Sequence, residues 1–334
     1  MSTGRITDPP SSEAFVAFPD GFGSRFIVTV DTEEEFDWTA PFSAEGFTLD
    51  AVPELGTFQR FCEEYGVCPL YLIDYPIATS PVAAEVLGEA VRAGRADVGI
   101  QLHPWVNPPH DEAISTHNSF AGNLPEPLER SKLAVLRDVI ERNFGRAPRV
   151  YRAGRYGVGP ATAPILLDHG IAIDTSVRAR FDYSSGGGQN FRDLPVRPWW
   201  VGAPGRLMEL PLTTVFWGLL RRYGPILYPK LWRAPRLRGL LSRLGLLERI
   251  PLTPEGASAV EAIRGIDMAL REGVPVLVFS FHSPSLQAGH TPYVRNAADL
   301  AALYDWWRTV FAELARRGVR PTSVAEIMAA ARLA

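Results

Sequence analysis

The feature that most constrains this chain is a set of short strand-like runs that are apolar at nearly every position. They are FIVTV (26–30), PLYLI (69–73), DVGIQL (97–102), IAID (171–174), LMELPL (207–212) and PVLVFSF (275–281). A strand wetted on one face alternates polar and apolar residues, whereas one that is apolar throughout is buried on both faces. Stretches of helical periodicity lie between them, at 51–65, 80–94, 127–144, 160–169, 256–272 and 297–316. In 127–144, Leu128, Leu133, Leu136 and Val139 form an apolar stripe, with arginine and glutamate on the other face. Strand–helix alternation of this kind predicts an α/β fold around a parallel sheet, open or closed into a barrel. The 334 residues suffice for one such barrel.

Composition narrows the function classes. Thirty-four basic residues against 37 acidic ones give a net charge of -3, which argues against a general nucleic-acid surface. No stretch of eighteen apolar residues occurs, and MSTGRITDPPSSEAF at the N-terminus lacks an apolar core. The expectation is therefore a cytoplasmic protein with neither transmembrane helix nor secretory signal. Cys62 and Cys68 are too few for a disulfide scaffold and are expected to be buried thiols in a reducing compartment. No G-x-S-x-G elbow supports a serine hydrolase, and the glycines at 186–188 lack the context of a phosphate loop.

Two segments break the rhythm. Residues 104–125 are rich in proline, asparagine and glycine and read as a long ordered loop. Residues 219–250 carry positive charges at 221, 222, 230, 233, 236, 238, 243 and 249, with Glu248 as their only acid. They are expected to form a helical insertion with one basic and one apolar face. Such a flap either packs on the barrel or meets an anionic membrane surface or a phosphorylated, lipid-linked sugar.

Polar groups follow the apolar runs at four places: Asp31, Thr32 and Glu33 after FIVTV, His103 after DVGIQL, Arg152 after RVY, and His282 after VLVFSF. In parallel α/β folds the strand C-termini converge on one rim, where ligands and catalytic groups collect. Asp31 and Glu33 are two apart, so an extended chain points both carboxylates to the same side. With His103 they would make an oxygen–nitrogen site suited to zinc or another divalent ion. His169 before Gly170 reads as a helix C-cap, and His290 as a loop residue.

Four segments carry a family resemblance. FIVTVDTEEEFDW, GIQLHPWVN, YRAGRYG and VFSFHSPS resemble, in order, motifs of the NodB-homology polysaccharide deacetylases (carbohydrate esterase family 4), in a divergent bacterial branch. The resemblance spans residues 26 to 290 and implies a distorted (β/α) barrel with fewer than eight regular strands. It implies one domain over 25–334, after an N-terminal extension at 1–24 and interrupted by the insertion at 219–250. By the same resemblance Asp31 is the general base, Glu33 and His103 are metal ligands, and Arg152 keeps Asp31 ionised. His282 is the general acid. Trp105 and Tyr156 would offer faces to a sugar ring, and a backbone N–H near Tyr156 would hold the oxyanion.

The chain departs from the family pattern at two points. Asn107 stands where a second metal histidine is usual, and Arg155 and Tyr156 stand where a proline and an aromatic are usual. Three readings are open: Asn107 binds through its own oxygen, His110 or His117 replaces it as ligand, or the metal site is lost. The implied activity is metal-dependent deacylation of an N-acylated sugar, a glycan precursor or a lipid-linked sugar. The alternatives are a glycan-binding barrel without catalysis and a hydrolase of small non-sugar amides.

Overall fold

The computed structural model describes residues 4–231 and 234–333. Arg233, one of the insertion's eight basic positions, lies outside the described residues. The strands of the main sheet, in chain order, are β1 (Arg25–Thr32), β2 (Leu70–Ile73), β3 (Asp97–Leu102), β4 (Val150–Ala153), β5 (Ile173–Asp174), β6 (Trp199–Trp200) and β7 (Met208–Glu209). A separate hairpin is made by β8 (Thr214–Trp217) and β9 (Glu248–Pro251), β10 (Val276–His282) returns to the main sheet, and the two-residue strand Arg320–Pro321 pairs in parallel with the start of β1. Their spatial order is β10-β1-β2-β3-β4-β5-β7-β6, parallel throughout except for the β7–β6 pair. The chain from 210 to 213 closes the curl: the Leu212 N–H donates to the Val177 carbonyl and the Thr213 N–H to the Val278 carbonyl. The result is the distorted (β/α) barrel expected from the sequence.

The pleat explains why the runs look apolar throughout. One set of side chains, including Phe26, Val28, Val30, Tyr71, Ile73, Ile100, Tyr151 and Phe279, packs outward against the helices. These are α1 (Glu54–Glu64), α2 (Pro81–Arg92), α3 (Glu126–Phe144), α4 (Thr162–Asp168), α7 (Ala259–Arg271) and α8 (Ala297–Arg316), α5 and α6 belonging to the insertion described below. The alternate set, Ile27, Leu70, Leu72, Val150, Ile173, Val276 and Val278, fills the barrel interior. That interior is plugged by Val16, Phe22, Val324 and Ile327 from the two ends of the chain. Val16–Ala17 also pairs with Arg332–Leu333. Further along the same inward rows the residues turn polar: Thr29 and Asp31 on β1, Gln101 on β3, Arg152 on β4, and Ser280 and His282 on β10. The polarity change falls at the C-terminal ends of the strands, the rim where ligands collect in parallel α/β folds.

The insertion sits on the β8–β9 hairpin. Helix α5 (Gly224–Leu231) precedes α6 (Pro235–Arg243), and the chain returns as β9, so the segment's C-terminal end is strand rather than helix. Phe216, Tyr228 and Leu247 form a small core beneath it. Its outer surface leaves Leu219, Tyr223, Ile226, Leu237, Leu240 and Leu244 exposed. No helix among the described residues is long and apolar enough to cross a membrane.

Candidate active site

Register and pleat bring the candidate residues together. His282 is the cross-strand partner of Asp31, and Gln101 of Arg152, so both pairs project into the barrel. Asp31, Glu33, His103, Arg152 and His282 all line one cavity of about 250 Å³ at the strand C-termini. Trp105 and Tyr156 line it too. Seven of the eight site residues anticipated from the sequence thus line a single space, and Asn107 does not.

Asp31 and Arg152 are both fully buried, and Arg152 Nη1 donates to Asp31 Oδ1. The guanidinium is fixed on its other edges, with Nε donating to the Thr175 carbonyl at 3.0 Å and Nη2 to Thr29 Oγ1 at 2.9 Å. A buried charge needs such pairing. Asp31 Oδ2 is left toward the cavity, 3.7 Å from His282 Nε2. From behind, Glu255 accepts from both His282 Nδ1 (2.6 Å) and the His282 N–H (3.1 Å). Ser285 Oγ in turn donates to Glu255. Burial alone would lower the pKa of His282, but Glu255, Glu33 and Asp31 together raise it to about 10.

His103 is built the same way. Its Nδ1 lies 3.0 Å from Glu34 Oε2, and its Nε2 faces Glu33 Oε2 at 3.5 Å. Trp105 stacks on the imidazole, with ring centroids 4.4 Å apart, and its indole N–H donates to Glu34 Oε1 at 2.8 Å. Asp74 completes the support: Oδ2 accepts from the Glu34 N–H and Oδ1 from the Ile77 N–H. Gly154 lets this layer close, because a Cβ there would meet His103 Cδ2 at 2.5 Å.

Glu34, Asp74 and His103 lie within 4.8 Å of one another, a grouping with the oxygen and nitrogen donors that a divalent metal takes. All four oxygens of Glu34 and Asp74 already face N–H groups, so these acids serve best as the support behind His103. The cavity face of the ring offers the better fit. Donors bound at about 2.1 Å to a tetrahedral ion stand roughly 3.4 Å apart, and Glu33 Oε2 and His103 Nε2 meet that spacing. Burial pushes Glu33 up to about 7, so a cation beside it would favour its charged form. Gln101, 3% exposed, donates through Nε2 to Glu33 Oε2 at 3.2 Å, while its Oε1 is buried with no partner among the described residues.

Asn107 does not join this set. The chain turns after His103, with the Asn107 N–H donating to the His103 carbonyl. The Asn107 Nδ2 then donates to the carbonyls of Pro108 and Lys132 at 2.7 and 3.0 Å. The buried Lys132 ammonium gathers the carbonyls of Pro104, Asn107 and Pro109, so this turn is anchored on α3 and away from the cavity. His110 and His117 are exposed and line no part of it.

Sequence reasoning missed Glu34, Asp74, Gln101 and Glu255. It also missed the aromatic wall from 36 to 42. Trp38 packs edge-on against His282 with centroids 5.1 Å apart, and Phe42 lies 4.6 Å from Trp105. At the rim, Arg155 and Tyr156 hold left-handed backbone angles, φ 54° and 61°. Consecutive non-glycine residues in that region are strained, and such strain gathers at functional sites.

No family model matches the sequence, and no curated protein matches it either. Solved structures do match. A "putative polysaccharide deacetylase" from Mycobacterium smegmatis aligns over 97% of this chain and 94% of its own, with a TM-score of 0.52 at 18% identity. A 4-alpha-glucanotransferase from Thermococcus litoralis aligns over 92% of this chain and 40% of its own, with a TM-score of 0.51 at 12% identity. A family 4 acetyl xylan esterase from Clostridium thermocellum, in complex with a cobalt ion, covers 92% and 91% at a TM-score of 0.44 and 10% identity. The chain thus has a polysaccharide-deacetylase-like fold, as the motif resemblance implied.

Proposed function

We propose that this protein is a metal-dependent hydrolase that removes the acyl group from an N-acylated sugar or glycan precursor. One observation carries the reading: two imidazoles face one cavity beside Asp31 and Glu33, each held from behind by a buried glutamate. Glu34 holds His103, and Glu255 holds His282. An ordinary core histidine has no need of this arrangement.

Glu33 and His103 would hold the metal, with Gln101 rather than Asn107 as the third protein donor, and we assign zinc. When bound, it would supply Lewis acidity, polarising the acyl carbonyl and acidifying water. Asp31, anchored by Arg152, removes a proton from the water that attacks the acyl carbon. The turn at Arg155 and Tyr156 offers backbone N–H groups to the developing oxyanion. His282 protonates the sugar nitrogen as the C–N bond breaks, giving a carboxylic acid and a free amine. Trp38, Phe42 and Tyr156 provide apolar faces for the sugar ring. Trp105, committed to Glu34 and stacked on His103, positions the metal ligand instead.

The proposed setting is cytoplasmic, where a precursor or lipid-linked sugar is the accessible substrate, and the two free thiols fit it. The exposed leucines of the basic insertion support peripheral contact with an anionic membrane surface. Liberation of acid and amine from N-acylated hexosamines, by zinc-loaded against metal-free protein, tests the proposed activity.

A further inference from the structure

A second cavity of about 500 Å³ adjoins the first, and Arg155 lines both. It lies between the loop at 178–183, which follows β5, and the insertion, which supplies Tyr228 and Arg249. Five arginines line it, Arg155, Arg178, Arg180, Arg192 and Arg249, against one acid, Asp182.

Not all of that charge is spent. Arg180 pairs with Glu272 at 2.7 Å and Arg192 with Asp182 at 3.6 Å. Arg178 instead donates to the Tyr183 hydroxyl at 3.1 Å, and Arg155 to Ser119 Oγ. Neither has a carboxylate within 4 Å among the described residues. Arg178 and Arg249 both stack on Phe181, at 4.0 and 3.5 Å from the ring centroid. Burial, reinforced by the nearby cations Arg178 and Arg238, pulls Arg249 down to about 10. Half-buried guanidiniums crowded around one cavity repel one another, and an anion bound among them relieves that repulsion. Their planar forks match phosphoryl oxygens two at a time, and so much positive charge suits a group with two or more negative charges. Neutral sugar hydroxyls would leave it unmatched.

We propose that this cavity is a phosphoryl-binding subsite, and that the sugar deacylated beside it carries a phosphate or diphosphate. The first half stands on the cavity itself; the second rests on the deacylase reading. Arg155, at the boundary of the two spaces, would then set the distance between the phosphoryl group and the acylated nitrogen.

Inorganic pyrophosphate titrated calorimetrically into the metal-free full-length protein tests the subsite without the neighbouring metal. Saturable binding is expected, weakened about tenfold or more by Arg178→Gln and by Arg249→Gln. It should be unchanged by Arg308→Gln on α8 and partly restored by Arg178→Lys. Circular dichroism melts confirm that each variant is folded, and the two independent variants guard against the loss of one. Absence of saturable binding at millimolar pyrophosphate, or indifference to both variants, overturns the subsite. An N-acetylated hexosamine 1-phosphate should compete with pyrophosphate while the neutral hexosamine does not; failure to compete overturns the substrate assignment. Pyrophosphate binding in a protein that deacylates no sugar would leave the subsite standing and refute the deacylase reading alone.

Discussion

His282 stands opposite Asp31 in the β10–β1 register, and its Nε2 lies 3.7 Å from Asp31 Oδ2. Each is held from behind by a buried partner of opposite charge, Glu255 for the histidine and Arg152 for the aspartate. The two groups proposed to move protons are therefore each fixed by a side chain that is itself tied down by further hydrogen bonds. Preorganisation of this kind places an acid and a base at a reacting centre without reorganisation during the reaction.

Arg152→Met removes one half of a fully buried ion pair and strands Asp31. The expected loss is about 3–5 kcal/mol of stability in guanidinium unfolding. Adding Asp31→Asn to it should cost less than the sum of the two single changes, because both act on one network.

Support for His103 is expected to show in metal affinity. Glu34→Gln should weaken zinc binding by about 10–100-fold in competition with a chromogenic chelator, because the ring loses the carboxylate that fixes its tautomer. Gly154→Ala should act in the same direction by pushing the imidazole aside. Unchanged zinc affinity in both variants would remove His103 from the ligand set.

The barrel was legible because strands buried on both faces leave a signature that few other folds share. Asp31, Glu33, His103, Arg152 and His282 were legible because each follows such a run. Asp74, directly after Ile73, obeys the same positional rule and was within reach of it. Glu34 was hidden by its neighbours, since nothing in TEEE says which acids turn inward. Glu255 precedes a helix in the segment PLTPEGAS and comes to His282 only through tertiary packing. Asn107 stays off the cavity wall for a local reason: Lys132 captures three carbonyls of the turn, and no motif spacing reports that.

Glu129 offers a pH test away from the site. Burial raises its pKa from 4.5 to about 7, against a hydrogen bond from Thr162 that lowers it. A raised carboxyl favours its protonated form in the folded state, so the protein loses stability as pH rises from the unfolded value toward 7 and loses no more above it. Glu129→Gln should therefore stabilise the protein by up to about 3 kcal/mol at pH 8, and by little at pH 4. Urea unfolding at the two pH values measures the difference; an equal effect at both would contradict it.

The insertion's exposed face predicts salt-sensitive sedimentation with vesicles containing anionic lipid and none with neutral vesicles. Ile226→Glu combined with Leu240→Glu should abolish it while leaving zinc binding intact. Equal sedimentation of this double variant and the wild type would assign the face another role.

The most direct test of the central claim is acetate release from N-acetylated hexosamines and their phosphates, comparing zinc-loaded wild type with zinc-loaded Asp31→Asn. The account predicts that both bind one zinc with similar affinity, and that release is lower by about a hundredfold or more in the variant. Equal release from both proteins, or none from a wild type that holds its zinc, would contradict it.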